Sequence, residues 1–121
     1  MFDTNNKPKG LKRIYLASVN SLRALTWLYK NESAFRQELL LLIVTIPVTF
    51  FLDISHKEQA VLILSVVFII FTEIINTAIE AVVDRVGLEI HPLSGLAKDL
   101  GSAAVLISMI IAVIIWITVL I

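Results

Sequence analysis

From Ala60 to Phe71 the chain is apolar but for Ser65, and then Glu73, Asn76, Glu80 and Asp84 follow at steps of three, four and four. An apolar run of this kind reads as membrane helix, and the steps that follow keep the same helical period. The segment starts near Glu58 and runs to about Val86. At about 1.5 Å per residue it is long enough to cross a bilayer and project beyond it. Upstream, Leu11, Ile14, Ser18, Leu22, Leu25 and Tyr29 recur at helical spacing among Lys12, Arg13, Arg23 and Lys30. That pattern predicts an amphipathic helix at the membrane surface over 11–30. Residues 1–10 are polar and are expected to form a flexible tail. A short apolar run over 39–52 reaches spanning length if its helix extends back to Ala34. Pro47 is tolerated there, because neighbouring groups in a membrane bundle satisfy the freed carbonyl. Asp53 or Ser55 is placed to cap the following helix. "GLEIHPLSG" predicts a break, with Gly87, Pro92 and Gly95 as punctuation. The last helix is expected from about 96 to 121, and the stretch 102–121 carries no charged residue.

Composition sharpens this picture. Hydrophobic residues make up 58% of the 121 positions and charged residues 17%, which points to one small integral membrane domain spanning 1–121. The absence of cysteine excludes disulfides and thiolate metal sites. A formal net charge of zero implies no bulk affinity for nucleic acid. The N-terminal residues lack the compact apolar core and small-residue site of a cleavable signal. Lys7, Lys9, Lys12, Arg13, Arg23, Lys30 and Arg36 all precede the first apolar run, whereas Arg85 and Lys98 flank the second connection. The positive-inside rule then puts the N-terminus and that connection on the cytoplasmic side.

The polar stripe carries the chemistry. On an ideal helix Glu73, Asn76, Glu80 and Asp84 fall within an arc of roughly 80° and a length of about 16 Å. Carboxylates near the hydrocarbon region are costly unless paired, hydrogen-bonded or bound to a cation, so this face is a functional-site candidate. Glu32, Arg36 and Glu38 begin the first span at the same depth, and Glu89, His91, Lys98 and Asp99 surround the turn into the third. Carboxylates can hold Mg²⁺ through oxygen ligands, and Lys98 and the arginines can hold phosphate. A carboxylate in a low-dielectric setting can serve as general base. These are the parts of a phosphoryl-transfer site.

Plainer readings stand beside this one. Glu80 and Asp84 can pair with Arg85 or Lys98 in helix-packing ion pairs, and Ser102 and Ser108 can simply allow close helix approach. His91 fits a solvated turn, Phe35 fits packing, and Trp27 and Trp116 fit interfacial anchors. The phosphate loop of nucleotide-binding α/β proteins and the motifs of soluble protein kinases are absent. Spacing alone leaves an ion- or proton-transport subunit equally open.

Three stretches, "NESAFRQE" (31–38), "EIINTAIEAVVDRVG" (73–87) and "SGLAKDLGSAAV" (94–105), strongly resemble the bacterial integral-membrane diacylglycerol kinase family. The resemblance covers nearly the whole chain from about Arg13. It implies an all-α membrane protein, three transmembrane helices after an N-terminal amphipathic surface helix, assembled as a homotrimeric helical bundle with active sites shared between protomers. It further implies transfer of the ATP γ-phosphate to diacylglycerol with Mg²⁺, in the bacterial cytoplasmic membrane. Undecaprenol kinase uses the same scaffold, but the "FRQE" and "KDLGSAAV" details look closer to the diacylglycerol branch.

Carried over by resemblance, Glu73 is the general base, and Glu32 and Glu80 hold metal. Arg13, Asn20, Asn76, Glu89, His91, Lys98 and Asp99 are implied nucleotide contacts. Arg13, Phe35, Arg36, Glu38, Glu73 and Ser102 are implied contacts of the lipid. The sequence departs from the family at Ala24, where relatives usually have glycine, at Asn20, where some carry tyrosine, and at Ile90, which replaces an aromatic found in some members. Asp84 is expected to form a structural ion pair.

Overall fold

The structure, a computed structural model, describes residues 5–121. The part of the tail at 1–4 lies outside the described residues. Four helices follow in chain order: α1 (Gly10–Asn31), α2 (Ser33–Phe51), α3 (His56–Val86) and α4 (Pro92–Leu120). No strand occurs among the described residues. The contacts divide the chain into two units, one ending at Arg36 and the other running from Gln37 to Ile121.

In the first unit, α1 buries Leu28, while Leu11, Ile14, Leu22 and Leu25 are exposed. Along this helix Ser18, Ser21 and Thr26 donate back to the carbonyls of Ile14, Ala17 and Leu22. Such back-bonding satisfies hydroxyls without a partner helix. Glu32 breaks the helix in an extended conformation, and Arg36 Nη1 donates to the Tyr29 carbonyl at 2.9 Å, tying the start of α2 to the end of α1.

In the second unit, α3 begins where the capping signals put it. The Ser55 side chain accepts from the Glu58 amide and the Glu58 carboxylate accepts from the Ser55 amide, both at 3.1 Å. This reciprocal box satisfies two of the donors that a helix start leaves open. The fourth helix starts earlier than the sequence suggests, at Pro92 rather than near 96. His91 is its N-cap, its Nδ1 accepting from the Leu93 amide at 3.1 Å, and Pro92 takes the first position, where its missing N–H costs nothing. Pro92 and Gly95 therefore lie inside the helix, and the break contracts to 87–91.

The helices α3 and α4 pack against each other in opposite directions along a polar seam. Trp116 Nε1 donates to Ser65 Oγ at 3.1 Å, Thr72 and Ser108 share a hydrogen bond at 3.0 Å, and a Cβ built on Gly101 meets the Asn76 amide. Small residues let backbones approach closely, and hydroxyls then bond across the interface. Trp116 is thus turned into the bundle rather than acting as a free interfacial anchor. Gln59 Nε2 donates to Thr49 Oγ1 at 3.1 Å, linking the far end of α2 to α3. Replacing Ser108 by Ala leaves the Thr72 hydroxyl bonded to the Ile69 carbonyl. We expect a cost of only about 0.6 kcal/mol, the average for such membrane hydrogen bonds, measurable by reversible unfolding in detergent.

Helices α2, α3 and α4 are each long and apolar enough to cross a membrane, and no more than 33% of the most apolar stretch of any of them is buried within the chain. The apolar surface left over needs lipid or another chain to cover it. The molecule is an all-helical membrane protein.

Candidate functional site

The stripe foreseen along α3 is a gradient of burial. Glu73 and Asn76 are 7% and 9% exposed, Glu80 is half-buried and Asp84 is exposed. Each occupies a distinct environment. Glu73 lies within electrostatic reach of Glu38, which projects from α2 and is itself 7% exposed. Glu38 Oε2 accepts no hydrogen bond among the described residues. Two buried carboxylates on different helices thus lie within electrostatic range of each other in this unit. Such an arrangement is unfavourable for a folded core and common where protons or cations are handled.

One turn along, Asn76 Nδ2 donates to Glu80 Oε1 at 3.3 Å. The amide is held in place from the other side by Gly101 on α4, whose bare Cα leaves just enough room for Asn76 Oδ1. Asn76 Oδ1 and Thr77 Oγ1 are buried without hydrogen-bond partners among the described residues. At the end of the stripe Asp84 pairs with Lys98 of α4 at 2.8 Å, the structural ion pair expected for Asp84. A hollow of about 200 Å³ between the end of α3 and the start of α4 gathers Asp84, Glu89, His91, Ser94 and Lys98.

The structure therefore brings together Glu38 with Glu73, Asn76 with Glu80, and Lys98 with Glu89 and His91. Asp99 and Ser102 are exposed on α4. Arg13, Asn20, Glu32, Phe35 and Arg36 belong to the first unit. Of these, Phe35 is buried, Asn20 and Glu32 are half-buried, and Arg13 and Arg36 are exposed. Gly101, Thr72 and Ser65 had no assigned role in the sequence. The small-residue run "GSAA" was the available signal for Gly101.

Among the described residues no three histidine or carboxylate side chains converge as a ready metal cage. The donor set on α3 is nevertheless all oxygen, the chemistry of a hard cation. Mg²⁺ ordinarily takes one or two carboxylates and fills its remaining positions with phosphate oxygens and water. Glu80 fits that pattern.

The Asp84–Lys98 pair is partly solvated, with side chains 50% and 43% exposed, so it contributes little to stability. Lys98→Met should therefore leave thermal unfolding almost unchanged. If Lys98 also meets nucleotide phosphate, the same variant should raise the KM for nucleotide at least about tenfold, the scale of one lost charge-assisted hydrogen bond. Parallel melting and kinetics separate the two effects.

A membrane bundle of this size, with buried carboxylates on two helices and a buried amide on one of them, defines a small integral-membrane protein with an interior polar site. Comparison with known proteins narrows the class. Residues 19–120 match the prokaryotic diacylglycerol kinase family. The chain is 47% identical over 111 residues to a diacylglycerol kinase of Escherichia coli K12, covering 92% of this chain and 91% of that one. It is likewise 47% identical over 111 residues to a diacylglycerol kinase of Pseudomonas aeruginosa, covering 92% and 90%. A diacylglycerol kinase of Helicobacter pylori 26695 is 39% identical over 115 residues, covering 95% and 90%. The chain belongs to the prokaryotic diacylglycerol kinase family, and is a lipid kinase.

Proposed function

We propose that the protein transfers the γ-phosphate of ATP to the free hydroxyl of diacylglycerol, giving phosphatidate, and that Glu73 is its general base. The observation that carries this is the buried Glu73, within reach of Glu38 and on the same helix face as the Asn76–Glu80 pair. A base set among apolar helices meets a lipid hydroxyl at the depth where that hydroxyl lies. Glu73 accepts the proton as the lipid oxygen attacks phosphorus. Asn76 orients Glu80, and Lys98 and Arg13 offset negative charge on the transferring group. Positioning and electrostatics provide most of the acceleration, because phosphoryl transfer needs little covalent help.

Glu32 and Glu80 are the residues that would hold Mg²⁺. Bound there, the ion would neutralise charge on the nucleotide phosphates. Asn20, Asn76, Glu89, His91 and Asp99 face the nucleotide in this reading, and Phe35, Arg36, Glu38 and Ser102 face the lipid. The sites are shared between protomers of a homotrimer. That assembly also accounts for apolar surface that the single chain leaves uncovered. The N-terminus and the 87–91 connection lie on the cytoplasmic side of a bacterial inner membrane, where Lys and Arg concentrate.

Two lipid acceptors test the reading. Purified protein in mixed micelles receives γ-labelled ATP, Mg²⁺ and equal amounts of diacylglycerol and undecaprenol. Label should enter phosphatidate. Label confined to undecaprenyl phosphate would move the chain to the other branch of the scaffold, and label in neither lipid would defeat both.

A further inference from the structure

Between Glu73 and Glu80 the chain runs Ile74, Ile75, Asn76, Thr77, Ala78 and Ile79, so Asn76 and Thr77 are the polar side chains that separate the two carboxylates. The proposed mechanism uses Asn76 and gives Thr77 no part. The Thr77 hydroxyl also behaves unlike others in this chain. Thr26, Thr49, Thr72 and Thr118 each donate to a carbonyl three or four positions back, the ordinary way for a helical threonine to satisfy itself. Thr77 Oγ1 is shielded from solvent and makes no hydrogen bond among the described residues. A buried hydroxyl left unpaired costs stability, and its retention calls for a partner that the folded chain does not itself supply.

The register says where that partner would lie. Taking Glu73 as the origin and 100° per residue, Glu80 falls at about −20°, Asn76 at about −60° and Thr77 at about +40°. Asn76 and Thr77 therefore flank the stripe on opposite sides. Asn76 has its Oδ1 against Gly101 and its N–H on Glu80 Oε1, so its donor serves the carboxylate. Thr77 keeps its proton uncommitted. Along the axis Thr77 stands about 6 Å from Glu73 and about 4.5 Å from Glu80. In an in-line transfer the attacking lipid oxygen lies at the base and the nucleotide phosphates lie toward Glu80, so the group in transit passes the level of Thr77.

We propose that the Thr77 hydroxyl donates to a non-bridging oxygen of the phosphoryl group in transit. The inference rests on the kinase reading and adds a contact for the transferring group itself. The lipid oxygen forms its bond to phosphorus, the bond from phosphorus to the β–γ bridging oxygen breaks with its electron pair leaving on ADP, and the lipid proton passes to Glu73. Thr77 keeps its own proton and only shares it. A turn about χ1 presents the hydroxyl, and threonine divides between two such rotamers in helices. Because charge spreads over the non-bridging oxygens at the transition state, the contact acts there more than on bound ATP.

The test compares full-length wild type, Thr77→Val and Thr77→Ser in mixed micelles with γ-labelled ATP, Mg²⁺ and diacylglycerol, alongside unfolding midpoints in detergent. Thr77→Val keeps the shape and removes the unpaired hydroxyl, so its midpoint should equal or exceed that of the wild type. Its kcat should fall about ten- to a hundredfold, the scale of one hydrogen bond to a charged group, with the KM for ATP and for lipid nearly unchanged. Thr77→Ser should recover most of the lost kcat. A Thr77→Val variant that turns over like the wild type, or a loss that Thr77→Ser shares in full, would overturn the contact. A loss that travels with a lowered midpoint would make the hydroxyl structural and overturn it as well. Diacylglycerol left unlabelled by the wild type would instead defeat the kinase reading, and the contact with it.

Discussion

Gly101→Ala should destabilise the protein and damage its activity together. A Cβ at position 101 falls inside normal contact distance of Asn76 Oδ1, with Asn76 Cγ at 3.3 Å and Ile79 Cδ1 at 3.6 Å. Either α3 and α4 move apart or the amide turns away. Separation weakens the seam held by Thr72–Ser108 and Ser65–Trp116. Rotation costs the Asn76–Glu80 hydrogen bond. Overpacking of this kind costs about 1–3 kcal/mol. The double variant Gly101→Ala/Asn76→Ala distinguishes packing from chemistry, because removing the amide makes room for the methyl. Stability should recover toward that of Asn76→Ala alone, and activity should not. Unfolding midpoints in detergent and turnover on the same preparations supply the comparison. A Gly101→Ala variant as stable and active as the wild type would remove Gly101 from the account.

Glu73→Gln should lose nearly all turnover while keeping its helices. The substitution is nearly isosteric, and it relieves rather than creates charge beside Glu38, so the fold has no reason to suffer. What disappears, on the proposed mechanism, is the proton acceptor. General bases contribute about 10²- to 10⁴-fold to rate, and the loss should fall in that range. Glu38→Gln serves as its counterpart. It removes the other buried carboxylate but leaves the proposed base, so its effect should appear mainly in the KM for lipid. Equal losses of turnover in both variants would show that the two carboxylates act as one unit rather than as base and lipid contact.

Much of this architecture is legible in the sequence because it is local. The apolar runs set the three spanning helices, the "SHKE" box sets the start of α3, and the steps from Glu73 to Asp84 put the stripe on one face. The Asp84–Lys98 pair was one of two partners that proximity in the chain allowed. The seam was not legible. Thr72 meets Ser108, and Gly101 meets Asn76, only through the register between α3 and α4, which no periodicity specifies. The same register turns Trp116 inward, although its position near a helix end suggested an interfacial anchor. In sequence Pro92 reads as a breaker, because its role depends on whether a cap precedes it, and the capping atom belongs to His91. The family resemblance implies that Glu38 contacts lipid, but its place within electrostatic range of Glu73 on a different helix emerges only from the fold.

The most direct measurement is the single-turnover rate of phosphatidate formation, with ATP bound in advance and diacylglycerol in the same micelles, for wild-type protein and Glu73→Gln. Bound nucleotide should be nearly equal in the two, and the rate of the chemical step should fall at least about 100-fold in the variant. An unchanged single-turnover rate in Glu73→Gln would contradict the assignment of the buried α3 carboxylate as the base.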